Sequence, residues 1–169
     1  MIDFNSSSSI SGQVTTLVDT GLQQARARQS ERQYLGASRL GVACERALQF
    51  EYAKAPIDHG RDIPGRLLRI FERGHVMEDC MVVWLRDAGF DLRTRKADGE
   101  QFGFSVADGR LQGHIDGVIV GGPAGFAYPA LWECKALGNK SWSDLDKKGL
   151  VISKPIYAAQ VAIYQAYLE

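Results

Sequence analysis

The chain has 169 residues, with 20 Lys and Arg against 20 Asp and Glu, and it is 45% hydrophobic and 24% charged. That length supports one domain with a hydrophobic core, and the composition is ordinary for a soluble globular protein. Zero formal net charge argues against a surface coated in nucleic acid. No apolar run spans a bilayer, and the N-terminus lacks the basic-then-apolar order of a signal peptide.

Cys44, Cys80 and Cys134 are widely separated and odd in number. Free thiols in a reducing compartment are expected, and so a cytoplasmic location. Charge is spread unevenly. Arg26, Arg28, Arg32, Arg39 and Arg46 form one basic stretch, and Lys135, Lys140, Lys147, Lys148 and Lys154 another. A basic groove is compatible with this pattern, and solvated helix faces explain any one residue more simply.

Residues 1 to 12 are Ser-rich and are expected to be loose, ahead of a single domain over 13 to 169. An amphipathic helix is predicted over 13 to 30. A second is predicted from Arg39 to Ala53, with Ser38 as N-cap. Residues 54 to 65 hold two prolines and two glycines and read as a loop. A longer helix is predicted from about Pro64 to Ala88, closed by Gly89.

The period changes beyond Phe90. Phe102, Phe104 and Val106 alternate with smaller or polar residues, and Asp108-Gly109 signals a hairpin turn. Strands are predicted over Leu111 to Val120 and Ala130 to Leu137, joined by a turn-rich stretch. Residues 138 to 152 read as a loop with a short helix. Ser153-Lys154-Pro155 opens a last helix, with serine as N-cap and proline in the first turn. That helical pattern is still running at Glu169, so the natural chain is expected to continue. Helices, then a β-meander, then a helix indicate an α/β or α+β fold whose sheet is covered by helices.

The chemistry gathers in two short stretches. Gly113-His114-Ile115-Asp116-Gly117 and Trp132-Glu133-Cys134-Lys135 both fall in predicted strands. Residues two apart share a strand face, so Asp116 would lie beside His114 and Glu133 beside Lys135. Singly, each acid reads as a residue on a solvated face. Together they offer oxygen ligands for a hard divalent cation, with an amine next to it. Such an ammonium can orient an attacking water or stabilise charge growing on a phosphate. A lysine lowered by a neighbouring cation can also take the proton.

On a helical wheel, Leu67, Phe71, Val82 and Leu85 form an apolar stripe, and Glu78 falls near its centre. A core-facing glutamate needs a partner. A metal or its water is one candidate, and a buried arginine is the other. Gln160 and Tyr164 are one turn apart on the last helix, where a core helix with a polar rim is the simpler account.

Taken together, these residues resemble the PD-(D/E)xK nuclease superfamily. They are most similar to the branch of phage lambda exonuclease, the YqaJ-type phage recombinases and the RecB nuclease domain. Arg73 to Glu78 looks like its helical Gly-x-x-x-Glu motif. Gly113-His114-Ile115-Asp116 resembles the motif of the first metal aspartate. Glu133-Cys134-Lys135 is similar to the Glu-x-Lys core, and Gln160 to Tyr164 to the Gln-x-x-x-Tyr motif.

The resemblance implies a restriction-endonuclease-like core, a central mixed sheet flanked by helices. It implies a metal-dependent DNA exonuclease of phage-recombination type, acting on duplex ends. Asp116, Glu133 and the Cys134 carbonyl would hold Mg²⁺ or Mn²⁺, and Glu78 a water on the metal or a second metal. Lys135 would position the nucleophilic water. Gln160 and Tyr164 would orient the site or contact the DNA backbone. His114 would line the site or serve structurally. Tyr34 to Ser38, followed by Cys44-Glu45-Arg46, looks like the N-terminal segment of phage members, where Ser38 and Arg46 would meet DNA.

Some relatives carry an iron–sulfur cluster on one early and three late cysteines. Cys80 and Cys134 do not fit those positions, so no cluster is expected. A homotrimer and a single-strand annealing protein are partners by analogy, and no membrane partner is expected. The rivals are a RecB-like or CRISPR-associated nuclease domain of a larger complex, and an inactive DNA-binding module on the same fold.

Overall fold

A computed structural model describes residues 9–58 and 60–168. The chain divides into two compact units. Of the described residues, those within 1–31 and 56–77 belong to the first, and those within 32–55 and 78–169 to the second.

The first unit contains helix α1 (Ile10–Ala27) and the first half of helix α3 (Gly65–Asp87). Ser9 caps α1 by accepting from the Gly12 N–H at 3.1 Å. The expectation of loose chain over 1 to 12 is therefore corrected for Ser9 to Gly12, and residues 1–8 lie outside the described residues. Gly65 is buried against Asp19, where an added Cβ would come within 2.5 Å of the Asp19 Cα. The Arg69 guanidinium reaches the Asp19 carboxylate at 3.0 Å, tying α3 to α1.

α3 has the bounds that the apolar spacing predicts, to within a residue, and Gly89 follows it at φ +90. That left-handed backbone suits glycine. In the second unit, Glu78, Met81, Val82 and Leu85 are all half-buried, which is one helix face. Phe71 departs from the predicted stripe, being 44% exposed.

The second unit carries the strands. β1 (Leu35–Gly36), β3 (Gly103–Val106) and β4 (Leu111–His114) make one sheet, in the order β1-β4-β3. β1 runs parallel to β4, and β3 antiparallel to it. β2 (Asp91–Arg93), β5 (Gly117–Gly121) and β6 (Ala130–Trp132) make an antiparallel sheet, in the order β2-β5-β6. The protein is thus mixed α and β, of α+β type. In place of one central mixed sheet, the described residues form two sheets of three strands.

The two sheets meet in sequence at Ile115-Asp116. The strand predicted over Leu111 to Val120 breaks there, because its two halves pair with different partners. Ile115 is 1% exposed and anchors the core with Ala37 and Tyr164, against Phe102, Phe104 and Leu131. Its N–H donates to the Phe102 carbonyl at 3.1 Å, and its carbonyl accepts from Gln101 at 3.2 Å. The backbone polar groups at the break are satisfied in this way.

Two helix starts differ from expectation. Residues Ala37–Arg39 form a 3-10 turn, and α2 (Glu45–Tyr52) begins only after Cys44. Ser38 therefore caps no α-helix. α4 (Asn139–Ser153) is longer than predicted and kinks at Gly149, whose φ is +73. α5 (Pro155–Tyr167) begins with Pro155 as expected, but its N-cap position is Lys154. The Ser153 hydroxyl turns back onto the Gly149 carbonyl at 2.6 Å instead.

Candidate active site

Asp116 sits in the break between β4 and β5, and Glu133, Cys134 and Lys135 directly follow β6. The predicted strand faces are therefore corrected. Asp116 does not share a strand face with His114, and Glu133 and Lys135 lie past the last ladder residue. Tertiary structure brings the acids together all the same. Gly117 pairs with Trp132 across β5 and β6, so the residues on either side of that pair, Asp116 and Glu133, become neighbours. The Asp116 carboxylate accepts the Cys134 N–H at 2.7 Å. That bond fixes the chain after β6 and turns the carboxylate toward the Glu133 strand end.

Glu133 is the hub. Its Oε1 accepts from Lys135 Nζ and from Gln160 Nε2, the latter at 2.7 Å. Its Oε2 is buried and has no hydrogen-bond partner. Lys135 Nζ also reaches the Cys134 carbonyl at 3.3 Å and stands 5.9 Å from the Tyr157 ring centroid. Gln160 donates to the Tyr164 hydroxyl at 2.9 Å.

α5 supplies the floor of the site. Gln160 and Tyr164 are 4% and 3% exposed. Gly113 on β4 lets the Tyr164 ring approach, since a Cβ there would meet Phe104 at 2.5 Å and Tyr164 at 2.7 Å. Tyr164 then packs edge-on against Phe104, at 6.2 Å between centroids. The Gln-x-x-x-Tyr spacing thus serves a buried hydrogen-bond chain, and burial excludes either side chain as an open contact for the DNA backbone.

The electrostatics have one sign. Burial pushes the Glu133 carboxyl up, and the Asp116 charge adds to that, outweighing Lys135 and Gln160. Burial pulls the Lys135 ammonium down, but Glu133 and Asp116 outweigh it and hold its pKa above the usual lysine value. The Glu133 shift is chiefly the cost of burying its charge, and the Lys135 shift reflects the two carboxylates beside it. Burial likewise raises the Tyr164 phenol and the Cys134 thiol, the latter with help from Asp116 and Glu78. Lys135 thus stands as an ammonium paired with Glu133.

The remaining predicted residues make none of the hydrogen bonds around Glu133 described above. Glu78 is half-buried and its charge is felt at Cys134. Among the described residues, however, no group of three or more His, Cys, Asp and Glu side chains could hold a metal ion, so Glu78 does not complete a three-carboxylate set. His114 is exposed and stands edge-on to Tyr34, at 6.4 Å between ring centroids. The Arg32 guanidinium covers the Tyr34 ring at 5.2 Å. Arg46 is exposed and lies over Phe50 at 5.2 Å. Ser38 is half-buried in its 3-10 turn. Tyr157 was not legible in sequence as part of the site. Its one signal was its place three residues before Gln160, on the same helix face.

Asp116, Glu133 and the Cys134 carbonyl are oxygen donors of the kind a small divalent cation takes, with fewer than three side-chain ligands among them. Two carboxylates and a peptide carbonyl are the ligands such an ion prefers, and it keeps waters in its remaining positions. The buried Glu133 Oε2 is an acceptor that the protein itself does not satisfy. No described helix is long and apolar enough to cross a membrane. Comparison with protein-family models, curated proteins and solved structures finds no match.

Proposed function

We propose that the protein is a metal-dependent nuclease that hydrolyses phosphodiester bonds of DNA, and that duplex ends are its substrate. The observation that carries this reading is Glu133, a buried carboxylate with one orphan oxygen, beside Asp116 and Lys135. Asp116, Glu133 and the Cys134 carbonyl would hold Mg²⁺ or Mn²⁺, and Glu78 would act through water. When bound, the cation supplies Lewis-acid activation of water and charge stabilisation on the phosphate.

The chain's own groups do the rest. Asp116 keeps its bond to the Cys134 N–H and so holds the peptide carbonyl in place. Gln160 keeps Glu133 oriented from below, and Tyr164 keeps Gln160. The Lys135 ammonium donates to the attacking water or to a phosphate oxygen. Water adds to phosphorus and gives up a proton to solvent, while the bond from phosphorus to the leaving ribose oxygen breaks and that oxygen takes a proton from water. Preference for ends over internal sites, and membership of the phage-recombination type, rest on the motif resemblance.

The test is digestion of linear 5′-phosphorylated duplex and of closed circular duplex, with Mg²⁺ or Mn²⁺. Shortening of the linear DNA with the circle intact is expected. Cleavage of the circle makes the protein an endonuclease. Binding of DNA by folded protein without cleavage, with either metal, sinks the enzymatic reading in favour of a binding module.

A further inference from the structure

α5 presents Tyr157, Gln160 and Tyr164 three and then four residues apart, which is one helix face. Gln160 holds Glu133, and Tyr164 holds Gln160. The Tyr157 ring lies under Lys135, its centroid 5.9 Å from Nζ. We propose that Tyr157 is a positioning residue that keeps the Lys135 ammonium in place when Glu133 is given over to the metal. This inference rests on the nuclease reading.

The reason lies in how Glu133 is shared. One of its oxygens accepts both Lys135 and Gln160, so Lys135 is steered by the atom group that a cation would recruit. A cation on that carboxylate weakens its hold on the ammonium and repels it as well. Lys135 then needs an anchor without lone pairs aimed at its N–H groups, because those must point at water and phosphate. An aromatic face is such an anchor. Its quadrupole attracts the cation without competing, as a lone-pair acceptor would, for a directional N–H hydrogen bond. Tyr157 is half-buried, so the attraction is less screened than on an open surface. The ring is what matters, and the hydroxyl is dispensable.

The experiment measures kcat and KM on linear duplex DNA with Mg²⁺ for the wild type, Tyr157→Phe, Tyr157→Leu, Lys135→Ala and the Leu–Ala double variant. Tyr157→Phe is expected within about twofold of wild type, and Tyr157→Leu about 5- to 30-fold lower in kcat with KM little changed. In the Lys135→Ala background, Tyr157→Leu should add nothing. Tyr157→Met replaces the leucine variant if that one does not fold. A leucine variant at the wild-type rate overturns the inference and leaves the nuclease reading standing. So does a phenylalanine variant as slow as leucine, or a leucine loss that persists without Lys135. An inactive wild type overturns the nuclease reading and this inference with it. A second readout is independent of turnover. With Mg²⁺ present, Lys135 should be acylated faster by an amine reagent in Tyr157→Leu than in wild type, and equal rates contradict the proposal.

Discussion

Two regions of the second unit were predicted to carry function, and they are built differently. Around Glu133, the β4–β5 break, the end of β6 and one face of α5 converge on a single carboxylate, and the α5 residues that hold it are buried. Around Ser38 and Arg46, the chain runs through a short 3-10 turn and a late-starting helix, and Arg46 is exposed. The first region has excess charge in a half-buried space. In the second, Arg46 rests on a neighbouring ring, Phe50, and Ser38 is half-buried in its turn. A centre for chemistry is marked by convergence and by an unsatisfied buried atom. A contact residue carries no comparable mark before its ligand arrives.

Substitutions can break this contrast. Lys135→Ala and Asp116→Asn should each lower the cleavage rate by about 10²- to 10⁴-fold, the range for losing a positioned proton-transfer or charge-stabilising group. Single-turnover cleavage at saturating metal checks this. A loss below tenfold would put the chemistry elsewhere. Next in size is Gly113→Ala. The new methyl would meet two rings of the core, at 2.5 and 2.7 Å, so overpacking of about 1–3 kcal/mol is expected. Denaturant melts read it directly. Retention of full stability would mean that Tyr164 and Phe104 have room to move.

Tyr164→Phe is a smaller change. It removes the acceptor of one Gln160 hydrogen bond and keeps the ring, at a cost of about 1 kcal/mol. The smallest effects belong to the second region. Arg46→Ala should reduce the slope of log affinity against log salt by about one and leave kcat unchanged. If Arg46→Ala or Ser38→Ala cost as much as Lys135→Ala, the contrast between the regions would collapse.

Protonation sharpens the same contrast. The folded Glu133 pKa is raised, so the folded state holds its proton more tightly than the unfolded chain does. Its contribution to stability is full below the ordinary carboxylate range, and is lost as pH rises through the raised value. In metal-free buffer, the melting temperature of wild type relative to Glu133→Gln should therefore be more favourable at acid than at neutral pH. A difference that ran the other way would mean that Lys135 dominates at Glu133.

Much of this was legible before the fold was known. Gly89 and the apolar spacing bounded α3, and Asp108-Gly109 marked the turn between β3 and β4, where both residues have positive φ. Pro155 marked the start of α5. The break at Ile115-Asp116 was not legible. Residues 111 to 120 alternate as one strand would, and only pairing with two different sheets divides them. The missed helix starts have the same character. Ser38 and Ser153 have the right chemistry for N-caps, yet Ser38 lies in a 3-10 turn and Ser153 bonds back to Gly149. Local chemistry allowed the caps, and backbone context decided against them.

The candidate site shows the same division. The sequence pairs Glu133 with Lys135 and Gln160 with Tyr164, and the fold joins those pairs through Gln160 and Glu133. The intervals alone could not rank the residues. On a helical wheel Glu78 falls near the centre of an apolar stripe, but no three-ligand group forms among the described residues. Tyr157 is not among the residues the sequence singles out, and the fold sets its ring beside the Lys135 ammonium.

The most direct test of the central claim is Mn²⁺ binding, followed by electron paramagnetic resonance, in wild type and in Asp116→Asn and Glu133→Gln. The wild type should bind Mn²⁺, with Mg²⁺ competing for the same site, and each variant should bind at least tenfold more weakly while remaining folded. Equal Mn²⁺ affinity in all three proteins, or no binding by the wild type, would contradict the assignment of Asp116 and Glu133 as a divalent-cation site.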